Sequence, residues 1–128
     1  MGPRAVIQQY FAFANQERWH DLRELFHPDA TLSAVGGRPR QGRDDVMTYF
    51  DKVFAAWPQH HDQPGLVIAS GDSAAVEIAF TGTGHDGRRI HFDAVDVFHF
   101  APDGRISSLT SWYDIGYVQR FLRAGRSA

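Results

Sequence analysis

The chain contains no cysteine among its 128 residues. This absence excludes disulfide bonds, a cysteine nucleophile and cysteine-ligated zinc or iron–sulfur sites. Apolar runs are also short. None approaches the ~18 residues of a membrane-spanning helix, and the N-terminal MGPR leads into an amphipathic pattern instead of a signal peptide. From the sequence we expect a cytoplasmic protein with no membrane partner.

An excess of basic residues is missing as well. Thirteen Lys and Arg side chains stand against fifteen Asp and Glu, which gives a formal net charge of −2. Proteins that bind nucleic acids usually carry a basic surface that neutralises phosphates, so we expect no nucleic-acid partner. The length fits one domain, residues 1–128, with a single hydrophobic core.

Hydrophobic periodicity predicts helices first and most strands afterwards. The predicted helices span residues 4–16, 17–26, 42–57 and 115–123, with Asp44 and Asp114 as N-caps of the last two. The predicted strands span residues 30–35, 66–70, 74–84, 89–100 and 105–113, and residues 59–65 form a polar link. This order predicts an α+β fold in which a strongly curved antiparallel sheet wraps around the N-terminal helices as a cone-shaped barrel.

Asp96 lies on the apolar face of the predicted strand 89–100. Side chains alternate along a strand, so Asp96 shares its face with Ile90, Phe92, Ala94, Phe98 and Phe100. An ionised carboxylate there would cost on the order of several kcal/mol in desolvation, and we expect a raised pKa, a close hydrogen-bond partner, or both. Two interpretations are open: Asp96 is a proton donor in a site, or it ties down a polar group in the core.

Three stretches of the chain together resemble the NTF2-like superfamily: AVIQQYFAFANQERWHDLRELFHPDATL, FTGTGHDGRRIHFDAVDVF and DGRISSLTSWYDIGYVQRFL. The middle stretch is most similar to the SnoaL-like polyketide cyclases. The resemblance covers nearly the whole chain. It implies the NTF2-like cone-shaped barrel and a homodimer that forms through the sheet.

Two positions resemble the proton-donor pair of ketosteroid isomerase, a relative with the same fold. They are Tyr10 within QQY and Asp96 within AVDVFHF, and the resemblance implies that both donate hydrogen bonds to a developing oxyanion. The general base of the isomerase is not reproduced, because the stretch DATLSAVGG offers only Ser33 and Ala34 there. Limonene epoxide hydrolase resembles the chain at WYDIGYVQRFL. Where that enzyme has Arg and Asp partners on the preceding strands, however, this chain has only Glu77.

The proton acceptor must therefore come from another position. SnoaL-like cyclases use an Asp near the position of Asp114, so the resemblance implies an acid/base role for it, with helix capping as the alternative. His60 or His61, in the polar link, is a further candidate base. The spacing of the seven histidines does not predict a metal site, and we expect no cofactor.

These observations predict a cofactor-independent acid/base enzyme of natural-product biosynthesis. It would act as a cyclase, isomerase, dehydratase or epoxide hydrolase on a hydrophobic polyketide- or terpenoid-like molecule, with Asp96, Tyr10 and Asp114 as catalytic residues. The residues expected to contact the substrate are Phe54, Trp57, His61, Phe92, Phe98 and Trp112. The alternative is a non-catalytic ligand-binding or dimerisation module in which Asp96 is structural.

Overall fold

The computed structural model describes residues 2–127. In chain order its elements are α1 (Pro3–Asn15), α2 (Trp19–Glu24), β1 (Phe26–Ala34), β2 (Arg40–Gln41), α3 (Arg43–Ala55), β3 (Gln59–Ser70), β4 (Ser73–Thr83), β5 (Arg89–Phe100), β6 (Ile106–Tyr113) and α4 (Ile115–Ser127). The fold is α+β, as the sequence predicts.

The strands form a curved, unclosed sheet in the order β2-β1-β6-β5-β4-β3. Neighbouring strands are antiparallel except for β1 and β6, which pair in parallel. Strands β3 to β6 form the predicted meander. The parallel pairing adds β1 and the short β2 beside β6, so β3 is left as one edge of the sheet.

The hydrophobic core lies between the helices and the inner face of the sheet. Helix α1 begins with Pro3, which suits the first turn because its missing N–H has no partner there anyway. Apolar residues at spacings of three and four then face the sheet and are buried: Val6, Ile7, Tyr10, Phe11 and Ala14. Helix α4 covers another part of the inner face, where Val118 packs with Trp57, Phe80 and Ile90.

Strand β5 has the bounds that the sequence predicts, and its faces are as expected. Ile90, Asp96, Phe98 and Phe100 are buried, whereas His91 and His99 are exposed on the opposite face. None of the described helices combines the length and the apolar character needed to cross a bilayer.

The predicted polar link 59–65 is wrong, because these residues form the first half of β3. They pair with β4 from Gln59 opposite Thr83 to Pro64 opposite Ile78, and the register shifts between Pro64 and Val67. An edge strand is solvated on one side and needs no continuous apolar face, and it also tolerates proline. Hydrophobic alternation, the signal used to predict strands, is therefore absent here.

The predicted N-cap of α3 is also wrong. Gly42 is the N-cap, with a φ of 86° that favours glycine, and no side chain caps this helix. Asp44 instead forms an ion pair with Arg23, while the carboxylate of Asp45 accepts the backbone N–H of Gln41 at 3.0 Å. Both acids lie in the first turn, where the helix dipole favours negative charge.

Phe98 tests the packing of this core. The side chain is fully buried, and its ring centroid lies 5.2 Å from that of Tyr10. We expect Phe98→Ala to lower the free energy of unfolding by about 3–5 kcal/mol, because it removes buried contacts and leaves a void. Ile68→Ala, at a side chain that is 61% exposed on β3, should change it by less than ~0.5 kcal/mol. Urea denaturation measures the free energy of unfolding of both variants. Equal losses would contradict the assignment of Phe98 to the tightly packed core.

Candidate active site

A cavity of about 100 Å³ lies between the inner face of the sheet and the helices, and it is partly open to the surface. One part is polar and is formed by Tyr10, Tyr49, Asp62, Asp96, Ser111 and Tyr113. The rest is mainly aromatic and aliphatic and is formed by Leu32, Phe50, Val53, Phe54, Trp57, Phe80, Phe92, Leu109 and Val118. The cavity thus brings two carboxyl groups and three phenols together within an apolar wall.

Asp96 is buried at the centre of β5, opposite Ser111 on β6. Burial raises its pKa from 3.8 to about 7, a hydrogen bond from the Ser111 hydroxyl lowers it in part, and the charge of Asp62 raises it further. Its Oδ1 atom is buried and has no protein hydrogen-bond partner among the described residues. A protonated Asp96 is therefore available to donate to a molecule in the cavity.

Tyr10 lies on α1 and faces the same cavity. Its side chain is buried and makes edge-to-face contacts with two rings. The ring centroid of Tyr10 lies 4.9 Å from that of Phe11 and 5.2 Å from that of Phe98. Burial raises the pKa of Tyr10 well above 10.0, and the charge of Asp96 raises it further. The phenol therefore stays protonated near neutral pH and can donate a hydrogen bond to a molecule in the cavity. The structure thus brings Tyr10 and Asp96 together, whereas their role as a donor pair stays a prediction.

Asp62 is the site residue that sequence reasoning missed. It lies on β3 opposite Phe80, and its side chain points into the cavity. Burial raises its pKa from 3.8 to about 6, although nearby His60 and His61 lower it. Once residues 59–64 are placed in a strand, alternation puts Asp62 on the same face as His60, but the sequence gives no apolar pattern that marks this strand.

The pKa values of the two carboxyl groups make an acid/base pair possible. Asp62 ionises near pH 6, and its negative charge helps to keep the proton on Asp96 until about pH 7. Two interacting carboxyl groups titrate as a pair, so these values describe the pair and not two independent acids. Around pH 6.5 the pair can therefore hold one base and one acid.

Three of the residues expected to contact a substrate line the cavity: Phe54, Trp57 and Phe92. The expectation that Phe98, His61 and Trp112 join them is not met. Phe98 packs behind Tyr10 in the core. His61 and Trp112 point outward, because their strand neighbours Asp62 and Ser111 face the cavity.

Asp114 lies outside the cavity lining and is exposed. Its Oδ1 atom accepts the backbone N–H of Tyr117 at 3.0 Å, so the capping interpretation is confirmed. Its catalytic role stays a prediction without a geometric basis. Glu77 is exposed on β4 with its side chain outside the cavity. Within residues 2–127, no three His, Asp or Glu side chains lie together as a set of metal ligands.

The raised pKa of Asp96 makes stability depend on pH. The folded chain binds this proton more tightly than the unfolded chain. The stability that the proton contributes to the folded state is therefore fully present below pH 3.8 and is lost as the pH rises through about 7. The side chain in Asp96→Asn is neutral at every pH, so the variant's free energy of unfolding should fall less than that of the wild type between pH 4 and pH 8. At 1.36 kcal/mol for each pKa unit, the difference amounts to up to about 4 kcal/mol.

Urea denaturation across this pH range measures the effect. Asp93→Asn is the matched control, because Asp93 is exposed on the outer face of the same strand. The free energy of unfolding of Asp93→Asn should fall with rising pH as that of the wild type does. An Asp96→Asn variant that declines as steeply as the wild type would show that burial does not raise the pKa of this group.

Comparison with known proteins gives the family. Residues 7–109 match the family model of the SnoaL-like domain. No curated protein matches the chain in sequence.

Solved structures give the same fold. The epoxide hydrolase/cyclase-like enzyme SalBIII, described for pyran ring formation in the polyether salinomycin, is 28% identical with a TM-score of 0.79, covering 88% of this chain and 91% of its own. An NTF2-like protein of unknown function from Exiguobacterium sp. 255-15 is 24% identical with a TM-score of 0.77, and the match covers 85% of this chain and 98% of that protein.

A SnoaL-like polyketide cyclase, so described, from Jannaschia sp. CCS1 is 17% identical with a TM-score of 0.82, covering 90% of this chain and 87% of its own. The fold of this chain is therefore NTF2-like, and the expected family is confirmed. Because the matching model spans most of the sequence, the chain belongs to the SnoaL-like domain family.

Proposed function

We propose that this chain is an acid/base enzyme that acts on a small hydrophobic molecule without a cofactor. The observation that carries the proposal is the convergence of Asp62, Asp96 and Tyr10 on one aromatic-lined cavity. Perturbed titratable groups in a cleft are a common feature of catalytic sites. Here the two carboxyl groups have pKa values of about 6 and about 7, close to the pH at which a cell works.

Each residue has a distinct role in this proposal. Ionised Asp62 accepts a proton from the substrate. Protonated Asp96 and the Tyr10 phenol donate hydrogen bonds to the substrate oxygen on which negative charge develops, and donors of this kind contribute about 3–4 kcal/mol each to the barrier. Aromatic and aliphatic side chains form most of the cavity wall, and the low dielectric constant of such surroundings strengthens these interactions.

Among the reactions this pair can serve, the best supported is ring closure of an epoxy alcohol. Asp62 removes the proton of a substrate hydroxyl, whose oxygen attacks an epoxide carbon and forms the new C–O bond. The epoxide C–O bond breaks, and Asp96 delivers its proton to the released oxygen. Atoms and charge balance, because one carboxyl group gains the proton that the other loses. The likeness to SalBIII, which is described for pyran ring formation, supports this choice over isomerisation or dehydration.

The cavity volume bears on the substrate and on the alternative function. At about 100 Å³ it is smaller than the ~300–1,000 Å³ typical of ligand sites. We expect a small substrate, or the reacting end of a longer polyketide- or terpenoid-like one, to enter. The small volume is also the observation that favours the alternative, a non-catalytic ligand-binding or dimerisation module in which Asp62 and Asp96 are structural.

The proposal includes a cytoplasmic homodimer that forms through the outer face of the sheet. Val95 and Trp112 are opposite each other on β5 and β6, and their side chains are 38% and 54% exposed. Neighbouring exposed apolar side chains on a sheet face are typical of an interface between subunits.

Substitution of the cavity residues tests the mechanism. We expect Asp62→Asn, Asp96→Asn and Tyr10→Phe each to lower kcat/KM by at least ~100-fold in cyclisation assays with short-chain epoxy alcohols, because each removes a proton-transfer or oxyanion group. The wild-type rate should rise with pH through about 6, as Asp62 ionises, and fall through about 7, as Asp96 loses its proton.

Asp93→Asn is again the matched control and should keep wild-type kinetics. If Asp62→Asn is as active as this control, Asp62 is not the base. If wild-type protein binds the epoxy alcohols, measured by quenching of tryptophan fluorescence, but turns none over, the binding module is the better description.

A further inference from the structure

Strand β3 carries Asp62 although it is an edge of the sheet. One side of an edge strand has no neighbouring strand to take its backbone hydrogen bonds, so such a strand is easily displaced. A carboxyl group that must transfer protons needs a fixed position, because a displacement of about 1 Å can cost ~100-fold in rate. The residues that fix Asp62 therefore bear on its function.

Asn15, the last residue of α1, holds the backbone at Asp62. Its side-chain Nδ2 donates to the carbonyl oxygen of Asp62 at 2.9 Å, and its Oδ1 accepts the backbone N–H of Asp62 at 2.8 Å. A primary amide presents a donor and an acceptor side by side, as the backbone of an adjacent strand does. Asn15 thus makes the two hydrogen bonds that a neighbouring strand would make at this residue.

Glu17 extends this contact along β3. Its φ of 56° lies in the left-handed region, an uncommon conformation for a residue with a side chain. Its carboxylate meets Nε2 of His60 at 2.9 Å. Such a conformation persists where the surrounding contacts hold it, and the bond to His60 is one such contact.

His60 connects Glu17 to the cavity. Its side chain is only 3% exposed, and its ring centroid lies 4.1 Å from that of Phe54, which lines the cavity. It lies two residues before Asp62 on the same strand face. Its Nδ1 atom is buried and has no protein hydrogen-bond partner among the described residues.

We propose that Asn15, Glu17 and His60 form a clamp that positions Asp62 in the cavity and keeps Asp62, instead of Asp96, as the proton acceptor. The inference rests on the proposed function for the role of Asp62. Asn15 fixes the strand. His60, oriented by Glu17, places positive charge beside Asp62 when it is protonated, which favours the ionised carboxylate. These three are positioning residues, because none is assigned a contact with substrate.

Other charged or titratable groups face Asp62 as well. Asp96 on β5, Tyr10 on α1, Tyr49 on α3 and Tyr113 on β6 line the same cavity, and His61 acts on Asp62 from the outer face of β3. His60 and His61 are the side chains in this set that carry positive charge when protonated, and both lower the pKa of Asp62. They differ in position, since His60 is buried and His61 is exposed on the outer face. This pair provides a matched comparison.

The first experiment follows the titration of Asp62 by carboxyl-carbon NMR in full-length protein. Asp96→Asn is the background, so that a single cavity carboxyl group titrates. We expect His60→Gln to raise the pKa of Asp62 by about one unit, because it removes an adjacent cation. His61→Gln should raise it less, and Glu17→Leu, which removes the side-chain acceptor of His60 Nε2, should raise it in the same direction as His60→Gln. Equal values in the His60→Gln and His61→Gln proteins would overturn the clamp.

The second experiment uses the fact that Asn15 is the only asparagine in the chain. Selective labelling with ¹⁵N-asparagine gives one side-chain amide pair, and we expect one of its hydrogens to be protected from exchange by the bond to Asp62. Asn15→Leu should lower kcat for the epoxy alcohols by at least ~10-fold with a smaller change in KM. Gln16→Leu, at the exposed neighbouring residue, should leave both unchanged.

Rapid exchange of both amide hydrogens, or kcat in Asn15→Leu equal to that in Gln16→Leu, would overturn the clamp while leaving the acid/base mechanism intact. Conversely, full activity of Asp62→Asn would overturn the proposed function, even where the NMR titration still responds to His60→Gln. The two failures are therefore distinguishable.

Discussion

The burial of carboxyl groups in an apolar cavity is the constraint on which this site depends. Water would stabilise the charge of Asp62 and Asp96, and the cavity replaces most of that water with aromatic rings. The pKa values of both acids rise in consequence, to about 6 and about 7. Such burial costs stability as the pH rises above about 4, and the packing around Phe98 and α1 has to offset this cost at neutral pH. The fold tolerates this cost in the cavity where we propose that two acids with pKa values close to neutral pH carry the function.

The position of β3 at the edge of the sheet determines how Asp62 is held in the cavity. A central strand such as β5 is fixed by a neighbour on each side. Strand β3 has one neighbouring strand, and the end of α1 and the turn after it supply further contacts through the Asn15 amide and the Glu17 carboxylate. The helix that delivers Tyr10 to the cavity thus also holds the backbone of Asp62, so two of the three groups that we propose to act in the site depend on one element.

Prediction from the sequence succeeded where burial leaves a periodic pattern. The bounds of β5 and the inward position of Asp96 could be predicted because apolar residues alternate there, and α1 because its apolar residues recur at helical spacing. Residues 59–65 gave no such pattern, since an edge strand is partly solvated. That one misassignment hid Asp62 and placed His61 at the site instead of its neighbour. Trp112 was misplaced for a related reason: the mixed polarity of β6 does not indicate which face is inside.

The sequence by itself determined the fold class, the helical face that carries Tyr10 and the strand face that carries Asp96. Each depends on local periodicity, which is a property of neighbouring residues. The tertiary structure decided which distant groups share the cavity: Asp62 with Asp96, Asn15 with the backbone of β3, and Asp114 with its own helix instead of the site. These pairings join residues far apart in the chain, and the desolvation that raises their pKa values exists only once helix and sheet have packed together.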